Sequence, residues 1–375
     1  MALVTREGTI ARTKGAQTSQ RQFPTTAVLG ASPNGLALAG YLAQKGAPVH
    51  IWNQSLAPLQ AIQLLGGIQF NQDLVRPARV TAAIAQALQE AEVVIVTQAP
   101  SALAETVRTM APYLADGQQI LLVGAGIGAA LEFRRLYEAT EYHSRIVVAE
   151  VPAFPLDCLS TGPAMTRVLA VKKWLPVAAL PQRRTSEVIE RCGELLPMLR
   201  PVSSVLESSL QNTIVLLHAV ITLLNAERIR RKERFRFYAE GATPQVAEVL
   251  AAADAERCAV AKAYGVEVLS IEAYLTQAYG VHAEGLQAKL LSVGAFQDKL
   301  APSGLKHRYV DEDVPAGLVP LWELAELAGV ECPTLTEMID LASALTGRDY
   351  LREGRTLARM GLTGLTPEQV RLAVQ

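Results

Sequence analysis

The sequence predicts an α/β domain followed by an all-α domain, and three observations carry that prediction. From Thr25 to about Pro201, short apolar runs are separated by helical stretches: TTAVLG, APVHIW, AEVVIVTQ, QQILLVG, RIVVAE and RVLAVKKWLPVAAL. Runs that are apolar on both faces at this spacing belong to a parallel sheet with helices on either side. After Ser204, helical patterns follow one another with Pro, Gly and Thr punctuation and little that alternates with period two. Finally, 375 residues, 50% of them hydrophobic, are more than one compact unit favours, so two lobes and a cleft are expected. The boundaries are expected at 25–203 and 204–375, after a loose polar arm over 1–24.

Composition narrows the partners. A formal net charge of -1 gives no general electrostatic reason to bind nucleic acid or an anionic membrane. A small-molecule partner is favoured. Cys158, Cys192, Cys258 and Cys332 are far apart and form no CxxC pair, so neither a metal knuckle nor a disulfide framework is indicated, and a reducing cytoplasm fits. No metal is expected. The first two dozen residues lack the apolar core of a signal peptide, and no later apolar run is expected to span a bilayer.

The first unit, AVLGASPNGLALAGYLAQKGAPVHIWNQS over 27–55, reads as strand, tight turn, helix and second strand. In a dinucleotide-binding turn the first glycine allows the bend, the second lets backbone approach the pyrophosphate, and the third lets helix pack on strand. Gly30 and Gly35 fill the outer roles and Ser32 replaces the middle glycine, with Ala31 and Asn34 between them. A serine hydroxyl can donate to a phosphate oxygen, and the helix N-terminus adds amides and its dipole. An ordinary βα turn has the same wording, but its place as the first unit of an α/β domain favours a Rossmann-type cofactor loop. The second strand ends in Asn53 and Gln54, where a carboxylate would select NAD and arginines NADP. The expected cofactor is NADP or NAD, with a slight lean to NADP. A second glycine-rich loop, VGAGIGAALEF from Val123, places Gly124, Gly126 and Gly128 at the end of a later strand, where ligands or a purely structural turn can sit.

The helical half opens with SVLE, a capping-box pattern with Ser204 at the N-cap and Glu207 at N3, and one helix is predicted through SSLQNTIVLLHAVITLLNAERIRRKER. A later helix starts at Thr243-Pro244 and ends before Gly265. On the first helix, Leu210, Ile214, Leu217, Ile221 and Leu224 form a core-facing pattern, yet Gln211, His218, Thr222 and Asn225 share one polar stripe at 100° per residue. Such a stripe serves either a polar contact between helices or a solvent-filled cleft, and a lone histidine there is commonly a hydrogen-bonded core residue. A second polar concentration, SGLKHRYVDEDVPAGLVPL over 303–321, mixes Arg308 with Asp311, Glu312 and Asp313 between apolar flanks. It reads as a solvated loop or as an anion-binding arginine beside carboxylates able to orient an imidazole.

VLESSLQNTIVLLHAVITLLNA, FYAEGATPQVAEVLAAADAER, LKHRYVDEDVPAGLVPL, MIDLASALTGRDY and GAALEF, with the first βαβ unit, resemble the octopine/nopaline (opine) dehydrogenases over nearly the whole chain from Thr25. The resemblance implies a Rossmann domain joined to an all-helical one. It also implies NAD(P)H-dependent reductive condensation of an amino acid with a 2-oxo acid through an imine held in the cleft. It matches His218 to the catalytic histidine, Asp313 to its partner and Arg308 to the arginine that grips a substrate carboxylate. Gln211, Thr222 and Tyr238 are expected near the amine. Ser32, Ala219 and Ile214 depart from the family wording. A 2-oxo acid reductase of the same superfamily, or a non-catalytic Rossmann-fold nucleotide-binding protein, are the alternatives. A homodimer and a monomer both suit the composition.

Overall fold

A computed structural model describes residues 23–375. Of the expected N-terminal arm, residues 1–22 lie outside the described residues, while Phe23 packs against the sheet's apolar core. Twelve strands are present among the described residues: β1 (Thr26–Leu29), β2 (Val49–Trp52), β3 (Ile68–Phe70), β4 (Asp73–Val75), β5 (Arg79–Thr81), β6 (Val93–Val96), β7 (Gln119–Val123), β8 (Val147–Val151), β9 (Leu156–Gly162), β10 (Met165–Val171), β11 (Leu175–Leu180) and β12 (Leu199–Pro201). Eight of them form one sheet in the order β12-β11-β8-β7-β6-β1-β2-β5. From β5 to β8 every pairing is parallel. β11 runs antiparallel to β8 and parallel to β12, which adds an antiparallel edge to the expected parallel sheet.

The chain leaves β1 towards β2 on one side and returns at β6 on the other, so the order reverses between β1 and β6. Ligands of open α/β sheets bind beyond the strand ends at such a point. Thr97, directly after β6, donates its hydroxyl to the carbonyls of Leu29 and Gly30 and so ties the two sides together there.

The run RVLAVKKWLPVAAL divides between two sheets. Its first half is β10 in a four-stranded sheet, β4-β3-β10-β9, and its second half is β11. This small sheet packs on the helix Pro33–Gln44, where Ala37 and the rings of Phe70 and Tyr41 meet Leu156. Lys172, at the junction, has its side chain buried, which a reading of charge as solvent-facing misses.

After Pro201 the described chain is helical, apart from one isolated bridge between Arg236 and Leu300. The single helix expected from Ser204 is three: Val205–Leu210, Ile214–Leu224 and Ala226–Arg230. Ser204 does cap the first, accepting from the Glu207 amide, but the Glu207 carboxylate takes the Ser203 amide and hydroxyl instead of closing a box on Ser204. The first break has a visible cause. Arg257, wholly buried, donates to the Leu210 carbonyl, and the Gln211 side chain exchanges two hydrogen bonds with the Leu269 backbone. Helix-terminal carbonyls need such partners. The span Val205–Leu224 has membrane-like length and a mean hydropathy of 1.2, but 89% of it is buried inside the protein. The helix Pro244–Ala263 begins as the sequence predicts, with the Thr243 hydroxyl accepting from the Val246 amide.

Candidate functional site

A cavity of about 670 Å³ runs from the turn after β1 to the helix Ile214–Leu224. At its first end, Gly30 has φ +123°, and a side chain there would press on Thr97. A Cβ on Gly35 would lie 2.0 Å from the Gly30 carbonyl oxygen, so this position admits only glycine if the helix is to start so close to the strand. Ser32 is the N-cap of Pro33–Gln44 and accepts from the Gly35 amide, while Pro33 at the first helical position has no amide to satisfy. The replacement of a middle glycine therefore supplies a helix cap and leaves the hydroxyl proton free to donate outward. The Ala31 amide is taken by the Asn53 side chain. The amides of Ser32 and Asn34 have no protein acceptor among the described residues, and both residues line the cavity. These donors at a helix N-terminus fit a pyrophosphate.

Asn53 is committed inside the turn, since its amide also donates to the Ser55 carbonyl. It braces the loop rather than presenting a free group, and Gln54 beside it is exposed. Neither lines the cavity. Gly124 and Gly126 do, with φ +64° and +85°. Gly126 is also where the second domain approaches: a Cβ there would meet the Ala316 carbonyl oxygen at 2.3 Å.

At the other end, His218 and Asp313 meet, Nδ1 to carboxylate Oδ2 at 2.7 Å, 95 residues apart in sequence and both nearly buried. A carboxylate only accepts, so Nδ1 carries the proton and Nε2 is left to exchange one with a ligand. Asp313 reaches this position from the end of the short helix Arg308–Asp311, where the backbone widens into a π-type turn over Val314–Leu318. Such turns break regular packing and often mark functional sites. Tyr309 stacks on the imidazole at 3.9 Å with 21° between the rings. Burial pushes the His218 pKa below its ordinary 6.5, the Asp313 bond and charge oppose this, and Arg308 and Lys299 add to the depression.

Arg308 lines the cavity without any protein acceptor for its guanidinium among the described residues, and its Nε is buried and unpaired. An unpaired buried guanidinium nitrogen is costly unless a ligand completes it. Tyr238 also lines the cavity, stacked on Phe296 at 4.0 Å.

Two expected substrate residues are corrected. Gln211 is spent on Leu269, and Thr222 is wholly buried with an unpartnered hydroxyl; neither lines the cavity. Asn225, the last member of the stripe, bonds the carbonyls of Ile221 and Gly241. The break at 211–213 resets the helical phase, so the stripe assumed at constant 100° per residue does not exist across it. Asn212, one residue from the predicted position, is the polar residue of this break that faces the cavity, with its side-chain oxygen unpartnered.

A third group carries no sequence signal. Asp157 on β9 accepts from Lys172 at 3.0 Å and from the Tyr279 hydroxyl at 2.8 Å on one oxygen, and from Lys299 at 3.5 Å on the other. Burial alone would raise this carboxyl, but the two lysines and Tyr279 outweigh it and hold it at about 2. Cys158 beside it is pushed by burial to about 11 and is no thiolate.

A parallel sheet with a glycine turn at its reversal point, joined to helices that bring a His–Asp pair and an unpaired arginine to the same cavity, defines a dinucleotide-dependent oxidoreductase of the two-domain type. The comparisons with known proteins agree with that class and narrow it. Residues 201–346 match the family model "NAD/NADP octopine/nopaline dehydrogenase, alpha-helical domain", and residues 26–152 match "Ketopantoate reductase PanE/ApbA". The chain is 34% identical over 355 residues to an opine dehydrogenase of Arthrobacter sp. (strain 1C), covering 94% of this chain and 99% of the relative. In fold it is similar to octopine dehydrogenase solved with NADH and L-arginine, at TM-score 0.75, 20% identity and coverage of 94% and 98%. It is also similar to NADP+-bound yersinopine dehydrogenase, at TM-score 0.71, 17% identity and coverage of 94% and 99%. The chain belongs to the opine dehydrogenase family.

Proposed function

We propose that this protein is an NAD(P)H-dependent opine dehydrogenase that condenses an amino acid with a 2-oxo acid and reduces the resulting imine to an N-(carboxyalkyl) amino acid. The observation that carries this is the His218–Asp313 pair set in one cavity with the free Arg308 and with the turn at Ser32 and Asn34. The bound nicotinamide supplies hydride. Ser32 and Asn34 would hold its pyrophosphate through their amides, and Gly30 and Gly35 hold the turn that presents them. His218, through Nε2, gives and takes the proton as the carbinolamine loses water and as the imine nitrogen is protonated, which makes the imine carbon a better hydride acceptor. Asp313 fixes the tautomer and stabilises the charged ring. Arg308 binds the carboxylate of the 2-oxo acid as a bidentate pair.

The division near 203/204 is part of this reading: the sheet ends at Pro201, and Ser204 caps the first helix after it. The free thiols of Cys158, Cys192, Cys258 and Cys332 support a cytoplasmic enzyme, and light scattering at assay concentration tests for a homodimer. The function is tested by following NADH and NADPH oxidation with a 2-oxo acid alone, an amino acid alone, and both. Oxidation only with both is expected. Oxidation with the 2-oxo acid alone would make the protein a 2-oxo acid reductase, and binding without turnover would make it a non-catalytic nucleotide-binding protein.

A further inference from the structure

The cavity holds a second cationic pole besides Arg308. Around Asp157 two ammonium groups face one carboxylate, which leaves a surplus positive charge inside the protein. The two lysines are not equivalent. Lys172 is 3% exposed and divides its protons between the Phe154 carbonyl at 2.9 Å and Asp157 at 3.0 Å. Lys299 is 19% exposed and makes a single long contact, 3.5 Å to Asp157. Its remaining N–H donors have no protein acceptor among the described residues, and it lines the cavity. Asp157 already faces two ammonium groups, so the net charge of the cluster is positive and disfavours a ligand's ammonium. What the cluster offers a ligand is therefore a fixed positive charge, and it acts at a distance on His218, where Lys299 and Arg308 both disfavour the protonated ring.

We propose that Lys299, held by Asp157 and backed by Lys172, is a second carboxylate-binding subsite that receives the α-carboxylate of the amine substrate, leaving Arg308 to the 2-oxo acid. The inference rests on the function proposed above and names which group selects an amino acid over a simple amine. A phosphate of the cofactor is the other anion that shares this chemistry, because Asn34 at the turn accepts from Cys158, the neighbour of Asp157. The carboxylate is favoured by position. Lys299 contacts the Phe296 ring at 5.8 Å, and Phe296 stacks on Tyr238 in the wall that continues through Phe237 and Tyr309 to His218. His218 and Lys299 line the same cavity, so an amino acid bound there with its nitrogen at His218 has the ammonium available for its carboxylate. Two bound carboxylates would also neutralise the two cations that oppose protonation of His218, leaving burial as the opposing cause.

The test compares wild type, Lys299→Met and Lys299→Arg with phenylalanine and with phenethylamine, its decarboxylated counterpart, at saturating pyruvate and NAD(P)H. Wild type is expected to favour phenylalanine. Lys299→Met is expected to raise the KM for phenylalanine by about 10- to 100-fold, the value of one charge-assisted hydrogen bond. It should also erase the preference over phenethylamine and leave the pyruvate KM and the NAD(P)H Kd within about 2-fold. Lys299→Arg should recover most of the preference. Thermal melting of the variants separates a misfolded protein from an altered site, and equilibrium titration of phenylalanine into the protein–NAD(P)H complex gives the same comparison without turnover. An unchanged phenylalanine KM in Lys299→Met overturns the proposal, and so does a shift confined to cofactor Kd, which would assign Lys299 to phosphate. Wild type with no amine-dependent oxidation at all defeats the parent reading, and that outcome is visible before any variant is made.

Discussion

His218 is a buried imidazole whose one protein hydrogen bond among the described residues goes to a carboxylate, and both its chemistry and its cost follow from that. Replacing it by alanine is expected to lower kcat by roughly 10² to 10⁴ with NAD(P)H affinity little changed, as for loss of a general acid–base group. Asp313→Asn should lower it less, since the ring stays in place but loses the acceptor that fixes its tautomer. Arg308→Ala should raise the KM for the 2-oxo acid more than it changes kcat; steady-state kinetics with each substrate varied in turn checks all three. The cost appears in stability. Because the His218 pKa lies below 6.5 in the folded state, the unfolded chain takes up a proton first as the pH falls. The contribution is present above 6.5 and is lost as acidification proceeds towards the folded pKa. Melting curves from about pH 8 to about pH 5 should therefore show wild type losing more stability than His218→Gln. Residue types marked His218 and the charged run over 303–321 as candidates, and the resemblance to the opine dehydrogenases picked Asp313 and Arg308 out of that run. Spacing alone could not show that they meet, since no periodicity spans the 95 residues between His218 and Asp313.

At the scale of elements, the turn between β1 and its helix depends on two small contacts. Ser32→Ala removes the cap on the Gly35 amide and should cost about 1 kcal/mol, whereas Ser32→Gly should cost only a few tenths. Gly35→Ala has no comparable escape, because its Cβ would collide with backbone, and it is expected to abolish NAD(P)H binding; calorimetry on folded variants checks this. The turn was legible because glycine and serine report backbone demands directly. The small sheet β4-β3-β10-β9 was not. Two of its strands are three residues long, and β9 carries Asp157 and Cys158 in a half-buried row without clean alternation. The same failure hid Lys299 and Lys172, since a charge in a short run looks solvated until its partners are known. In the helical half, the expected stripe failed for a tertiary reason. Arg257, from a helix some forty-seven residues further on, takes the Leu210 carbonyl and ends a helix that local propensity would continue.

The whole molecule is joined by a buried clasp behind the second glycine loop. Glu132 holds Arg355 and Arg359, Arg355 donates to the carbonyls of Ala125 and Ile127, and Glu150 accepts from Ser209 and from the Ala130 amide. Arg355 is 1% exposed on its side chain, so Arg355→Met leaves Glu132 to Arg359 alone and strands two carbonyls, and should cost about 3 kcal/mol by thermal or denaturant unfolding. Glu150 gives the clasp a pH dependence of the opposite sign to that of His218. Burial raises its carboxyl from 4.5 to about 7 against the pull of Ser209, Ala130 and Arg355. The folded protein thus keeps a proton that the unfolded chain releases above 4.5, and this contribution is lost as the pH rises through about 7. Glu150→Gln should gain on wild type by up to ~3 kcal/mol between acid and mildly alkaline conditions, read from paired melting curves.

The clasp also sets an order of events during synthesis. Ala125 and Ile127 lie on the loop beside the cofactor cavity, yet the guanidinium that satisfies them arrives about 230 residues later, from position 355. A nascent chain that has completed every strand of the sheet still lacks the donor that shapes this loop. The nucleotide half is therefore built early but finished late, and the enzyme acquires a complete cofactor site only once position 355 has left the ribosome.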